Sequence, residues 1–129
     1  MSNIKVLIVE DEAIVALEIQ DRLSILGYDV CGMAASGEKA IDLVHSTSPN
    51  LTLMDIKLKG KMNGIEAAKI IKEKFGIPSI FITAFSDENT IKQIREVLNF
   101  EYLFKPFEED ELKEAVGRTL EAAGVNVNF

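Results

Sequence analysis

Short apolar runs alternate along the chain with longer segments in which apolar residues recur every three or four positions. The runs are at 6–9, 28–34, 51–54, 79–83 and 102–104. The longer segments are at 13–26, 37–45, 65–75, the stretch that follows Ser86, and 108–123. Short apolar runs are typical of buried strands, and a spacing of three to four residues is typical of amphipathic helices. The pattern therefore predicts five strands that alternate with five helices.

The strict alternation of strands and helices determines the predicted architecture. It indicates right-handed βαβ units, a parallel sheet and helices on both faces of that sheet. A chain of 129 residues is long enough for one domain with its own core. We predict an α/β domain over residues 1–123, followed by a tail or the start of a linker at 124–129.

Composition and charge narrow the possible functions. The chain is 47% hydrophobic and 27% charged, as in ordinary globular proteins. Its net charge of −7 argues against direct nucleic-acid binding, which needs a basic surface. The single Cys31 allows no internal disulfide, and no apolar stretch is long enough for a membrane span or a signal peptide. These features favour a cytoplasmic protein without a membrane partner.

Polar and charged side chains that are able to bind ligands or react stand where the apolar runs end. Glu10 and Asp11 follow the first run, and Asp55 follows the third. Thr83 ends the fourth run, and Lys105 follows the fifth. Because the carboxyl ends of parallel strands lie at one edge of a sheet, we expect these side chains to lie close together.

Three carboxylates and one ammonium group in one site indicate a particular chemistry. Carboxylates at close range cannot all ionise without cost. Mg²⁺ (or Mn²⁺) bound through carboxylate oxygens removes that conflict. Asp55 would then attack a phosphoryl group, with the metal and Lys105 neutralising its oxygens and Thr83 donating a hydrogen bond. The residues therefore predict phosphoryl transfer onto Asp55.

The order of these residues resembles the receiver domain of two-component response regulators, over residues 3–120. The matching pieces are Val9-Glu10-Asp11-Glu12, Met54-Asp55, Gly64 before a helix, Ile82-Thr83-Ala84 and Lys105-Pro106-Phe107. The resemblance implies a single doubly wound (βα)5 flavodoxin-like domain whose five-stranded parallel sheet has the order 2-1-3-4-5. It also implies a phosphoprotein of a two-component regulatory system, which signals and is not an enzyme.

The resemblance assigns metal-binding roles to four positions. Glu10 and Asp11 would be the acidic pair that holds the metal, with Asp11 as a direct ligand. Asp55 would be both a ligand and the phosphoacceptor, and Lys57 would contribute its backbone carbonyl. Glu10 stands where the family more often has Asp, and its additional methylene favours a contact through water.

Three further positions match catalytic and switching residues of the family. Thr83 and Lys105 would contact the phosphoryl group, and the Lys105–Pro106 bond is expected to be cis. Tyr102 would be the aromatic switch that moves inward when Thr83 is drawn to the phosphate. A static core aromatic is the alternative interpretation of Tyr102, because tyrosine is common in strands.

Two loops depart from the family pattern. Residues 55–64 hold one residue more than usual and lack the usual proline, so we expect a wider loop beside the phosphoacceptor. Residues 98–100 replace a turn of small residues and would alter the nearby surface.

Phe85 is expected to hinder hydrolytic water, which predicts a long-lived phosphoryl group.

The implied phosphodonor is a histidine kinase or a histidine phosphotransfer domain. Ile14, Leu17, Pro106 and Phe107 are predicted to form an apolar surface on which it docks. The output would be a downstream protein or a covalently linked domain. The last two helices and the strand between them offer a face for a homodimer.

Two alternative functions remain open. In one, the chain is a receiver module of a larger sensor or hybrid histidine kinase. In the other it is a protein-interaction domain of the same fold that is never phosphorylated, against which the acids, Thr83 and Lys105 argue. A haloacid-dehalogenase phosphatase requires Asp where Lys57 stands, and the chain has no Gly-x-x-x-x-Gly-Lys-Ser/Thr loop.

Overall fold

A computed structural model describes residues 3–84, 88–94 and 100–124. Within these ranges the strands are β1 (Lys5–Val9), β2 (Asp29–Ala34), β3 (Leu51–Asp55), β4 (Ser79–Thr83) and β5 (Glu101–Phe104). The helices are α1 (Ala13–Ile25), α2 (Gly37–Thr47), α3 (Gly64–Phe75), α4 (Glu88–Gln93) and α5 (Glu109–Ala122). Strands and helices alternate as the sequence predicts. Among the described residues, no helix has both the length and the apolar character that a membrane crossing requires.

The five strands form one parallel sheet in the order β2-β1-β3-β4-β5. This order confirms the predicted doubly wound fold. The unbroken apolar run of β1 serves both faces of the sheet, since Val6 and Ile8 belong to one core and Leu7 and Val9 to the other. Such a run is what a strand covered on both sides requires.

Each face of the sheet has its own hydrophobic core. The first core combines β-strand residues with buried residues of α1 and α5, among them Leu23 and Leu112. The second combines the alternate strand residues with α2 and α3, among them Val44 and Ile71. The two cores hold the strands from both sides, so the positions of the strand ends are fixed by packing.

Several helix ends follow from their local sequences. Ser36 begins α2 by accepting a hydrogen bond from the Lys39 N–H at 3.2 Å. Asn63 and Glu66 begin α3 with a reciprocal capping box. Gly76 ends α3 in the left-handed region, with φ of 69°, as the glycine at this position predicts.

Some boundaries differ from the predicted ones by a few residues. Strand β3 continues to Asp55 because this residue still pairs in register with Ile82 of β4. Helix α2 continues to Thr47, two residues beyond the predicted end. The predicted helix start at Ser86, the expectations for Phe85 and for residues 98–99, and the segment 125–129 lie outside the described residues.

The loop between β3 and α3 packs against the α2 side of the domain. Lys59 forms a parallel bridge with Ser36, the residue before α2. Leu58 and Met62 are partly buried against the second core. These contacts hold the loop against the second core and the start of α2, and the expected greater width of the loop stays a prediction.

Gly64, the first residue of α3, lies directly against the end of β3. Its N–H donates a hydrogen bond to the Ile56 carbonyl at 2.8 Å. A Cβ atom at this position would lie 2.0 Å from the carbonyl oxygen of Asp55. Only glycine allows α3 to begin so close to the acidic end of β3.

Gly64→Ala is therefore expected to lower the free energy of unfolding by about 2 to 3 kcal/mol, because backbone atoms must move to admit the methyl group. Urea denaturation measures this difference. Gly117→Ala in α5 is the matched control: apart from the adjacent residues and the backbone of its own helix, no heavy atom of the described residues lies within 4 Å of the added carbon. The control is expected to gain about 0.5 to 1 kcal/mol from helix propensity. Equal stability of Gly64→Ala and wild type would contradict the close contact.

Candidate functional site

The carboxyl ends of β1 and β3 bring three acidic side chains together. The Glu10 N–H donates to the Ala34 carbonyl at 2.9 Å, so the chain is still held in the sheet where β1 ends. Glu10, Asp11 and Asp55 each offer a carboxylate oxygen, and these atoms lie within 4.8 Å of one another. Carboxylate oxygens at this spacing are able to hold a hard divalent cation.

Lys105, which follows the edge strand β5, also reaches this acidic cluster. Its ammonium nitrogen lies 2.9 Å from Oε2 of Glu10 and 3.2 Å from Oδ2 of Asp55. Its backbone N–H donates to the Thr83 carbonyl at 2.8 Å, and the following bond to Pro106 is cis, as expected. One ammonium group thus links two carboxylates that are 95 and 50 residues away along the chain.

The burial of Glu10 changes its acidity. Burial, together with the hydrogen bond to Asp55, raises the pKa of Glu10 from 4.5 to about 7, although Lys105 acts in the opposite direction. For Lys105, burial alone lowers the pKa, but the hydrogen bond to Glu10 and the charge of Asp55 outweigh it and raise the pKa. Lys105 therefore stays charged at neutral pH, and Glu10 and Asp55 share its single positive charge.

Backbone N–H groups also orient two of the carboxylates. The Glu12 N–H donates to Oε1 of Glu10 at 3.3 Å, and the Lys57 N–H donates to Oδ1 of Asp55 at 3.3 Å. Each of these two carboxylates therefore uses one oxygen for Lys105 and the other for a backbone donor. Asp11 is partly exposed and has neither kind of contact with the residues that the structure describes, so its oxygens are the more accessible ones.

Thr83 lies at the end of β4, the strand next to β3, and Tyr102 lies on β5, the strand beyond it. Thr83 is partly buried, pairs in register with Phe104, and lies one residue beyond the register partner of Asp55. It therefore lies at the same edge of the sheet as the acids. Tyr102 is partly buried against the second core, and its ring meets the Phe104 ring edge-on, with centroids 5.4 Å apart.

The residues predicted to form an apolar docking surface have different surroundings. Ile14 is 74% exposed and Leu17 is 51% exposed, and Pro106 is also exposed. Phe107 is only 6% exposed and belongs to the first core. The prediction that Phe107 belongs to the docking surface is therefore wrong. Its ring packs in the first core between α1 and α5, so a partner protein cannot contact it.

Arg22 is a residue of this region that the sequence did not single out. Its guanidinium lies over the Phe107 ring, 5.5 Å from the centroid, and donates a hydrogen bond to the Phe107 carbonyl. These contacts hold the segment after Lys105 against α1. In the sequence, Arg22 is one of several charged residues in the first helix, and no local pattern distinguishes it.

The raised pKa of Glu10 predicts a pH dependence of stability. In the unfolded chain its carboxyl group ionises near 4.5, whereas in the folded protein it ionises near 7. Between these values the folded state binds more protons, so this carboxyl group contributes less stability as pH rises from 4.5 to 7. In Glu10→Gln this contribution is absent.

We therefore expect the free energy of unfolding of wild type, relative to Glu10→Gln, to fall by on the order of 2 kcal/mol between pH 5 and pH 8. Urea denaturation at several pH values, in buffers free of divalent cations, measures this slope. If the two proteins show parallel pH profiles, the pKa of Glu10 is not raised in the folded protein.

Comparison with known proteins gives the family. The family model described as the response regulator receiver domain matches residues 6–117. The transcriptional regulatory protein PdtaR of Mycobacterium tuberculosis is 35% identical over 112 residues, which are 87% of this chain and 54% of that protein. The sporulation initiation phosphotransferase F of Bacillus subtilis is 33% identical over 123 residues, which are 93% of this chain and 96% of that protein. The chain thus spans about half the length of the first of these relatives and nearly all of the second.

Solved structures show the same likeness. The signal receiver domain of a modulated diguanylate cyclase from Desulfovibrio desulfuricans G20 has a TM-score of 0.87 and is 33% identical, covering 95% of this chain and 98% of its own. The N-terminal domain of a response regulator/sensory box/GGDEF 3-domain protein from Carboxydothermus hydrogenoformans has a TM-score of 0.81 and 34% identity, covering 93% and 96%. Sequence, fold and site agree, and the chain belongs to the family of response regulator receiver domains.

Proposed function

We propose that this receiver domain accepts a phosphoryl group on Asp55, with Mg²⁺ (or Mn²⁺) bound to the acidic cluster, and that phosphorylation changes a protein-interaction surface. The observation that carries the proposal is the contact of the Lys105 ammonium with Asp55, 3.2 Å apart, beside two further carboxylates. This arrangement supports the proposal because an Asp55 oxygen lies next to a cation and next to carboxylates that are able to bind a metal.

The donor set fits a hard cation. Glu10, Asp11 and Asp55 provide oxygens within 4.8 Å of one another, and burial together with the hydrogen bond to Asp55 raises the pKa of Glu10. Asp11 and Asp55 are the proposed direct ligands together with the backbone carbonyl of Lys57. Both oxygens of Glu10 already accept hydrogen bonds, which supports an indirect role through water. When bound, Mg²⁺ would supply positive charge for the phosphoryl oxygens.

Phosphoryl transfer requires few changes at this site. An oxygen of Asp55 forms a bond to phosphorus while the bond from phosphorus to the donor nitrogen breaks, and the electron pair of that bond stays on the donor. The donor is a phosphorylated histidine of a histidine kinase or phosphotransfer domain. Lys105, 3.2 Å from Asp55, neutralises the transferred group, and the Thr83 hydroxyl donates a hydrogen bond to one of its oxygens.

Tyr102 is the proposed element that passes the change to a surface. It lies on β5, three residues before Lys105. Because it is only partly buried, its ring has access to both the second core and the exterior. A phosphoryl group that draws Thr83 towards Asp55 would favour the inward position of the ring. The partner is either a separate downstream protein or an output domain in a longer chain. The partial coverage of PdtaR is compatible with the second case.

A phosphoryl adduct on Asp55 is the central prediction of this function. Incubation with a small-molecule phosphodonor and Mg²⁺ is expected to add one phosphoryl group to wild type and none to Asp55→Asn, which lacks the carboxylate nucleophile. Intact mass spectrometry measures the adduct, and omission of Mg²⁺ is expected to abolish it. A wild type that binds Mg²⁺ yet gains no phosphoryl group from any donor would favour the interaction-domain alternative.

The exposed apolar residues at the start of α1 are proposed to dock the phosphodonor domain. Ile14→Asp is expected to slow transfer from the cognate histidine kinase by about tenfold, because a charge would enter an apolar contact. Ile25→Asp is the matched control, since Ile25 is 75% exposed at the far end of the same helix. Both variants should accept phosphoryl groups from a small-molecule donor at the wild-type rate. Equal transfer rates of the two variants would place the docking surface elsewhere.

A further inference from the structure

Arg22 lies at the border of the buried face of α1. It follows the buried Ile19 by three residues and directly precedes the buried Leu23. Residues three positions apart share one face of a helix, so Arg22 stands beside the packed face and is itself half-buried. Among the described residues, no carboxylate forms an ion pair with its guanidinium. The polar contacts of this half-buried cation are therefore those that it makes with Phe107.

The guanidinium of Arg22 contacts both the side chain and the backbone of Phe107. It lies 5.5 Å from the centroid of the ring, and its Nη1 donates a hydrogen bond to the carbonyl oxygen. The ring is 6% exposed and packs in the first core. A planar guanidinium suits this double contact, because it stacks on an aromatic face and donates hydrogen bonds at its edge. Arg22 thus fixes the backbone of Phe107 as well as its ring.

Phe107 lies two residues after Lys105, in the short connection between β5 and α5. At the near end of this connection, the Lys105 N–H donates to the Thr83 carbonyl at 2.8 Å. Pro106 follows and has no backbone N–H with which to hold the chain. At the far end, Arg22 holds Phe107 just before α5 begins. The backbone around Lys105 is therefore held by β4 on one side and by α1 on the other.

The Lys105 ammonium depends on this backbone position. It lies 2.9 Å from Oε2 of Glu10 and 3.2 Å from Oδ2 of Asp55. A displacement of about 1 Å would take it beyond hydrogen-bonding distance of one or both oxygens. In the proposed reaction, Lys105 must also meet the phosphoryl group as it transfers. An error in its position therefore weakens the contact on which the transfer depends.

We propose that Arg22 is a positioning residue for phosphoryl transfer, which fixes the Lys105 ammonium through its contacts with Phe107. The inference rests on the proposed phosphorylation of Asp55. Arg22 acts through Lys105 and not on the reacting atoms, so the two residues do not contribute independently to the rate. That dependence separates a positioning role from a general contribution to stability.

Three single variants isolate the contact. Arg22→Met keeps a long unbranched side chain against the Phe107 ring and removes the charge and the N–H donors. Arg22→Lys keeps a charge and a donor at the end of a side chain of similar length. Val30→Ala is the matched control for lost stability. Val30 is partly buried against the same core, on the edge strand β2 at the opposite side of the sheet from β5.

The probe is acetyl phosphate with Mg²⁺, and intact mass spectrometry measures the rate of adduct formation. An oxygen of Asp55 bonds to phosphorus, and acetate leaves with the electron pair of the broken phosphorus–oxygen bond. Arg22→Met is expected to react about tenfold more slowly than wild type, because the ammonium is misplaced. Arg22→Lys and Val30→Ala are both expected to react within about twofold of the wild-type rate.

A double-mutant cycle with Lys105→Met gives the decisive comparison. In that background Arg22→Met is expected to change the slow residual rate by less than about twofold, because the ammonium that it positions is already absent. The same cycle is measured by urea denaturation without donor or Mg²⁺. There, Arg22→Met is expected to lower the urea midpoint less in Lys105→Met than in wild type.

Several results would overturn the inference. Equal rates of Arg22→Met and wild type would do so, as would an equal slowing of Arg22→Met and Val30→Ala. A tenfold slowing by Arg22→Met in the Lys105→Met background would show that Arg22 acts independently of the ammonium. A wild type that gains no phosphoryl group would overturn the proposed function. The urea cycle then tests the positioning of Lys105 separately, and additive losses of stability would contradict it.

Discussion

The contacts of the Lys105 ammonium are the interaction on which the site depends. Glu10 and Asp55 are both buried acids, and a buried carboxylate is costly unless a charged partner compensates it. Lys105 lies within hydrogen-bonding distance of both, and its position is set by the pairing of its backbone with Thr83. Three separate strands are thereby tied together at one point, and the remaining deficit of positive charge is what makes the cluster suited to a cation.

The sheet makes this interaction possible because its strands are packed on both faces. The apolar residues of β1 serve the two cores alternately, so neither face is free to shift. The acids stand where β1 and β3 end, and the lysine stands where β5 ends. A site built on the ends of packed strands holds its geometry better than one built on loops alone, which is an advantage where reacting atoms must meet at about 3 Å.

The sequence was sufficient to predict the strands, the sheet order implied by the resemblance, and the proximity of Glu10, Asp55 and Lys105. These features depend on local apolar patterns and on the general geometry of parallel sheets. The burial of Phe107 could not be predicted, because it depends on packing in the first core between α1 and α5, where its partner Arg22 is 85 residues away. The bridge between Ser36 and Lys59 joins two loops that no short-range pattern relates.

The contact between Gly64 and Asp55 has a mechanical consequence. The backbone of α3 lies against the carbonyl of Asp55 with no side chain between them. A side chain would act as a compliant layer that absorbs small movements by rotating about its bonds. Here the two backbones bear on each other directly, so a displacement of the β3 terminus is transmitted to the whole of α3 as a rigid-body movement.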